Sequence, residues 1–212
     1  MPVIRILIVD NHAVVRRGLK EIIERELEGS VCDEAENAEH AIAKVRSQDW
    51  DLVILDIKMP GRSGLDALRD IRQERQELPV LIFSMHPEDQ YARRVLKAGA
   101  RGYMSKENSP EELVKAIKRL LSGGRYVSSA LAERLAWDLS EATWQPVHET
   151  LSDREFEVLR MIAYGKTVSL IAEELHLSVA TVSTYRARIL DKMKMTNTVE
   201  LIRYALSNNL VD

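Results

Sequence analysis

The 212-residue chain has one cysteine, Cys32 in GSVCDEAE, so no internal disulfide forms and no thiolate cluster holds a metal. Cys32 reads as a small buried strand residue. No apolar run approaches the ~20 residues that a membrane-spanning helix needs. The opening MPVIRILIVD lacks the pattern of a signal peptide, so the cytoplasm is the expected location, with no membrane partner. The net charge of −3 argues against general, charge-driven nucleic-acid binding but leaves room for a local basic surface. No glycine-rich loop follows the first strand, which removes the usual support for a nucleotide site. There is no internal repeat and no low-complexity tract.

What is present is enough chain for two modules, with an ordinary apolar share of 45% and charged share of 30%. In the first part, short apolar runs at 4–10, 52–56, 79–84 and 101–105, with a weaker one at 31–36, read as strands buried on both faces. Helical patterns lie between them; in VVRRGLKEIIEREL, Val15, Leu19, Ile22, Ile23 and Leu27 share one stripe. The last of these helices opens with Ser109 as cap, Pro110 in its first turn and Glu112 as capping-box partner, and ends at Gly123 and Gly124. Strand–helix alternation repeated five times predicts a parallel sheet with helices on both faces. Residues 1–122 form this α/β domain, and 123–147, with one short helix near 129–139, read as an interdomain linker. Residues 148–212 form a second, all-α domain of four helices. Ser152 and Glu155 make a capping box for the first, and Leu151 and Phe156 are spaced for a hydrophobic staple. Ser178 caps the third, and Asn197 with Glu200 the fourth.

In an open parallel sheet, ligands bind at the carboxyl ends of the strands. The polar residues there are Asp10 and Asn11, Asp56, Ser84 and Lys106. This set suits phosphoryl transfer to a carboxylate nucleophile. A hard divalent cation offsets the negative charge, Lys106 pairs with phosphoryl oxygens and Ser84 hydrogen-bonds one. Asp56 is the nucleophile candidate, because it ends the most apolar strand and the turn IKMPGRSG after it leaves the acid accessible. His12 reads as a helix-start residue, since imidazole is a poor ligand for Mg²⁺.

LIVDNH, LVILDIKMPGRSGLD, LIFSMH and GYMSKE resemble the receiver domain of bacterial two-component response regulators, over about residues 3–122. The resemblance implies a flavodoxin-like, doubly wound sheet of order 2-1-3-4-5. It implies that Asp56 accepts phosphate from a sensor histidine kinase. Mg²⁺ would be held by Asp10, Asp56, the position of Asn11 and the backbone carbonyl of Lys58. Ser84 and Tyr103 match the family's switch pair, in which the hydroxyl follows the phosphate and the aromatic turns inward; Tyr103 reads equally as a core aromatic. The family usually has a second acid where this chain has Asn11. An amide oxygen still ligates Mg²⁺ but brings no charge, so weaker binding is expected. Asn11 also has a second reading, as cap of the following helix. Glu107 stands where many receivers have proline; members that carry a four-helix C-terminal module often lack that proline.

In that module, VSLIAEELHLSVATVSTYRARIL has a helix-turn-helix pattern, with small residues Ala180 and Thr181 early in the second helix. From His148 to Asp212 there are eight Lys and Arg against nine Asp and Glu, so DNA binding depends on local placement. Arg186, Arg188, Lys192 and Lys194 cluster along one helix; residues alone read equally as a solvated face of a helical bundle. LSxRExEVLxxIAxG followed by IAxxLxxSxxTVSTYxxxIxxKM resembles the LuxR-type helix-turn-helix of NarL/FixJ response regulators, over about 150–209. The resemblance implies that Val182, Ser183, Thr184 and Ala187 face the groove, with Thr181, Tyr185, Arg186 and Lys166 near phosphates. Many members have Lys at the position of Ser183, so base preference is expected to differ. Val199, Ile202, Arg203 and Leu206 match the DNA-bound dimer contact, although Ile202 also suits packing on the preceding helix.

The expected function is a DNA-binding transcriptional regulator, dimeric when active, on an inverted repeat of double-stranded DNA. Phosphorylation of Asp56 switches it, and it is not an enzyme. One alternative is a phosphorylation-independent regulator whose degenerate receiver serves as a dimerisation platform. Another is a phosphatase with an aspartyl intermediate, for which no general acid is evident beside Asp56.

Overall fold

The computed structural model describes residues 3–86, 88–140, 146–208 and 210–211, apart from the side chains at 89, 90, 135 and 137–140. Five short strands, β1 (Ile4–Val9), β2 (Ser30–Ala35), β3 (Leu52–Leu55), β4 (Val80–Ser84) and β5 (Gly102–Ser105), form one sheet. All pairs are parallel, in the order β2-β1-β3-β4-β5. Five helices alternate with them: α1 (Ala13–Glu26), α2 (Ala38–Ser47), α3 (Gly64–Glu74), α4 (Glu88–Lys97) and α5 (Pro110–Leu121). Successive strand residues point to opposite faces, so a sheet covered on both sides needs apolar residues at every position. Ile6, Ile8, Leu52, Ile54, Leu81 and Phe83 pack on α1 and α5. Their neighbours Leu7, Val9, Val53, Leu55 and Ile82 are equally buried, on the opposite face. The edge strand β2 is the weakest in apolar content; it buries Cys32 and exposes Val31. Burial pushes the Cys32 thiol up to about 12, as expected of an inert core cysteine.

Two expectations need correction. Ser109 caps α5 by accepting from the Glu112 N–H, but Glu112 does not close a capping box. Its carboxylate accepts instead from the Tyr126 hydroxyl at 2.6 Å. Tyr126 lies within the expected linker, and that is the second correction. Its N–H donates to the Arg101 carbonyl and its carbonyl accepts from Tyr103, extending the sheet past β5. The Ser128 N–H and hydroxyl both donate to Glu88, and α6 (Ser129–Ser140) follows. The first compact unit therefore runs Met1–Ser140 and the second Glu141–Asp212. Backbone pairing to a strand edge is a tertiary contact, which composition does not reveal.

The second unit has a 3-10 turn at Val147–Thr150 and four α-helices: α7 (Asp153–Ala163), α8 (Val168–Glu174), α9 (Val179–Met193) and α10 (Thr198–Ser207). The capping box of Ser152 and Glu155 is present in full. Leu151 and Phe156 are both buried, and Ser178 and Asn197 cap α9 and α10. Buried Arg160 donates to the Leu210 carbonyl at 2.9 Å, fixing the chain after α10 to α7.

Candidate functional site

β1 and β3 are paired with Val9 opposite Leu55, so Asp10 and Asp56 leave adjacent strands at the same level. This is where the strand order reverses. Ser84 ends β4 opposite Ser105 of β5, and Lys106 follows, its N–H bound to the Ser84 carbonyl. The Lys106 ammonium donates to Asp10 Oδ2 at 2.5 Å and Asp56 Oδ2 at 2.7 Å. The side chains are 8, 2 and 3% exposed. Asp10 Oδ1 accepts from the His12 N–H at 2.8 Å, and Asp56 Oδ1 from the Lys58 N–H at 3.3 Å. Burial pushes the Asp56 carboxyl above its usual range; Lys106 opposes that shift and Asp10 adds to it.

Access to Asp56 depends on the turn behind it. The Gly64 N–H donates to the Ile57 carbonyl at 2.8 Å, and a Cβ at Gly64 would lie 1.9 Å from the Asp56 carbonyl oxygen. Only glycine permits α3 to start this close to the acid.

The helix-cap reading of Asn11 is overturned. His12 is the N-cap of α1, without a side-chain bond, and Asn11 does not cap. The Asn11 Oδ1 is buried with no hydrogen-bond partner. The carboxylates of Asp10 and Asp56 lie within 4.8 Å of one another, beside the His12 imidazole, and this acidic pair is compatible with Mg²⁺. His12 starts the helix as expected, and its exposed imidazole Nδ1 also lies 3.0 Å from Asp10 Oδ1.

Tyr103 is fully buried, with its ring inward and its hydroxyl donating to the His86 carbonyl at 2.8 Å. Burial raises its pKa, with a Ser84 hydrogen bond opposing. Buried Ser84 accepts from the His86 N–H at 3.2 Å. The His86 peptide thus links the two residues. Sequence reasoning missed it, because backbone acceptors carry no residue signature.

In the helix-turn-helix, α8 and α9 are joined by the turn at His176, in left-handed conformation at φ 52°. Thr184, Arg186, Ala187 and Arg188 are exposed on α9, and Thr181, Ser183 and Tyr185 are half-buried. Val182 does not face outward: it is fully buried, on the stripe it shares with Ile189 and Met193. Spacings of seven and four residues return to one helix face, and that face is the core. Lys166, expected near phosphates, and Lys192 of the basic cluster are already paired. Lys166 Nζ contacts both Glu174 oxygens, at 2.8 and 2.6 Å. Lys192 Nζ lies 2.6 Å from the capping-box Glu155 and joins α9 to α7. On α10, Val199, Arg203 and Leu206 are exposed, whereas Ile202 is half-buried.

Two family models match. Residues 6–118 match the response regulator receiver domain, and residues 149–205 match the bacterial regulatory proteins of the luxR family. The chain is 37% identical to the response regulator UvrY of Escherichia coli over 210 residues, 98% of this chain and 95% of that one. It is 36% identical to the response regulator GacA of Pseudomonas aeruginosa, over 99% of this chain and 98% of that one. Among solved structures, RcsB of Salmonella typhimurium is similar at 26% identity, with 98% of both chains covered and a TM-score of 0.68. An RcsB–DNA complex is similar at 25% identity, with 97% of this chain and 98% of that one covered and a TM-score of 0.60. With a receiver and a LuxR-type helix-turn-helix matched in that order, the chain belongs to the NarL/FixJ family of transcriptional response regulators.

Proposed function

We propose that Asp56 accepts a phosphoryl group from a sensor histidine kinase, and that this modification switches DNA binding. The observation that carries the proposal is the buried pair of carboxylates bridged by Lys106 at the reversal point of the sheet. Mg²⁺ would be held by Asp10, Asn11, Asp56 and the Lys58 carbonyl, and it supplies charge neutralisation for the incoming phosphoryl group. Asp56 attacks phosphorus as the carboxylate, so that its O–P bond forms as the P–N bond of the kinase phosphohistidine breaks and the imidazole leaves. Lys106 then trades a carboxylate oxygen for a phosphoryl oxygen, which frees it from its present position. The Ser84 hydroxyl is placed to follow the new phosphate. Tyr103, tethered to the His86 peptide beside Ser84, couples that movement to the α4–β5 surface. Phosphorylation shifts a two-state equilibrium of the receiver. The active protein is a homodimer that reads an inverted repeat through two copies of α9, paired through Val199, Arg203 and Leu206. DNA binding by the relative RcsB, solved as two dimers on two parallel DNAs, supports this reading. The protein is not an enzyme, since its chemistry is confined to its own Asp56, and it acts in the cytoplasm where its DNA lies.

The test is intact mass after incubation with acetyl phosphate, with and without Mg²⁺, beside Asp56→Ala. One phosphoryl adduct that needs both Mg²⁺ and Asp56 is expected. A second reading, a phosphorylation-independent platform, is favoured by Asn11 in place of an acid. Loss of the adduct with both acetyl phosphate and a kinase as donor would select it.

A further inference from the structure

We propose that Glu174 sets the electrostatic threshold for DNA on the helix-turn-helix: its carboxylate offsets the charge of the Lys166 ammonium in the free protein, and a backbone phosphate must displace it. The inference rests on the reading that this module binds duplex DNA. Lys166 precedes Thr167, the N-cap of α8, and Glu174 is the last residue of that helix, so the pair spans it end to end. The two side chains are 32 and 30% exposed, so a phosphate can reach the ammonium.

The other cations of the module explain why this pair matters. Lys192 is held by Glu155, Arg154 by Glu157, and Lys194 lies 4.0 Å from Asp191. Arg160 is buried on the Leu210 carbonyl, and Arg203 lies in the field of Glu200. Among the described residues of the module, Arg186, Arg188 and Arg203 are exposed cations outside any ion pair, and of these Arg186 and Arg188 lie on α9. Each phosphate neutralised contributes about −0.9 to the slope of log K against log salt, so two arginines give roughly −1.8 per module. Lys166 adds its share only when Glu174 yields. Specific base contacts can supply that exchange; a random duplex supplies less. Glu174 therefore suppresses binding to sequence-unrelated DNA and acts as a specificity residue without touching a base. Glu155 is not equivalent, because it is 3% exposed and completes the capping box of α7.

The test is fluorescence anisotropy of a labelled duplex of scrambled sequence, titrated with the full chain across a salt series. Wild type, E174Q, K166Q and the double variant are compared, with circular dichroism as the folding control. E174Q should bind more tightly at low salt, with a slope steeper by about 0.9 per module, which is an extra loss of about threefold between ~50 and ~200 mM salt. K166Q leaves Glu174 as an unpaired negative charge and should bind no more tightly than wild type, and the double variant, which lacks both charges, should match wild type. A merely structural ion pair would change melting but not the slope. An unchanged slope in E174Q overturns the inference, as does a double variant with a slope as steep as that of E174Q. A folded wild type that binds no duplex at any salt overturns the DNA reading itself, and the inference with it.

Discussion

Lys106→Met removes one ammonium from between two buried carboxylates while keeping a chain of similar size. Each carboxylate lies within 2.7 Å of that ammonium, and both are 97% or more removed from solvent. An uncompensated buried charge costs about 3–5 kcal/mol. The site opens at the sheet edge, and burial already raises Asp56, so that one carboxyl can take up a proton and relieve part of the strain. We expect a loss of roughly 2–4 kcal/mol in receiver stability near neutral pH. The pH dependence follows from the raised pKa of Asp56. A carboxyl raised on folding favours the folded state below its unfolded pKa and disfavours it increasingly as pH rises through the folded value. Removing Lys106 raises it further, so the penalty should shrink as the pH is lowered through the folded value. Urea unfolding followed by tryptophan fluorescence, to which Trp50 and Trp137 of the first unit contribute, measures this. Mg²⁺ should also stabilise the variant more than wild type, because no ammonium competes for the carboxylates; a ligand at ~100 times its Kd adds ~2.7 kcal/mol. An unchanged urea midpoint in metal-free buffer would refute the reasoning, for it would mean that the carboxylates are solvated without Lys106.

Asn11→Asp places a charge where an unpartnered amide oxygen now sits. Two unit charges ~4 Å apart interact by up to ~4 kcal/mol at an effective dielectric near 20, and desolvation cancels much of it. Calorimetry should therefore show Mg²⁺ affinity rising about tenfold or more, and equal affinities would count against Asn11 as a ligand. Tyr103→Phe removes the bond to the His86 carbonyl. It should cost about 1–3 kcal/mol in urea unfolding, because it also removes the hydrogen bond with Ser84 and leaves a buried carbonyl unpaired. In the helical unit, burial would raise Glu155, but Lys192 and Ser152 bonds prevail and lower it. Stability from this lowered group is complete above its unfolded value near 4.5 and fades as pH falls through the folded one, so acid melting curves of Lys192→Gln and wild type should converge as pH falls below that folded value. Arg186→Ala should weaken DNA binding and flatten the salt slope by about 0.9 per module in anisotropy titrations.

The strands and helices were legible because burial on two faces demands continuous apolar runs, and one-sided burial demands stripes of period 3.6. The caps at Ser109, Ser152, Ser178 and Asn197 were legible because a side-chain oxygen acts within three residues. The same locality misled at Glu112, whose carboxylate reaches Tyr126, fourteen residues away, rather than its own cap. The linker expectation failed for the same reason: Tyr126 and Ser128 are anchored by backbone and side-chain bonds to β5 and α4. Val182 was misplaced because the motif marks its helix, whereas helix phase decides its face.

By itself, the sequence determined the order of elements, the two modules and the residue types at the strand ends, since each follows from local pattern and period. The tertiary structure alone decided that Lys106 bridges Asp10 and Asp56 across 96 and 50 residues of sequence. It alone left the Asn11 oxygen without a partner, closed Lys166 onto Glu174 and turned Val182 inward. Those outcomes depend on strand register and helix rotation, which arise from packing the whole core and are written in no single segment.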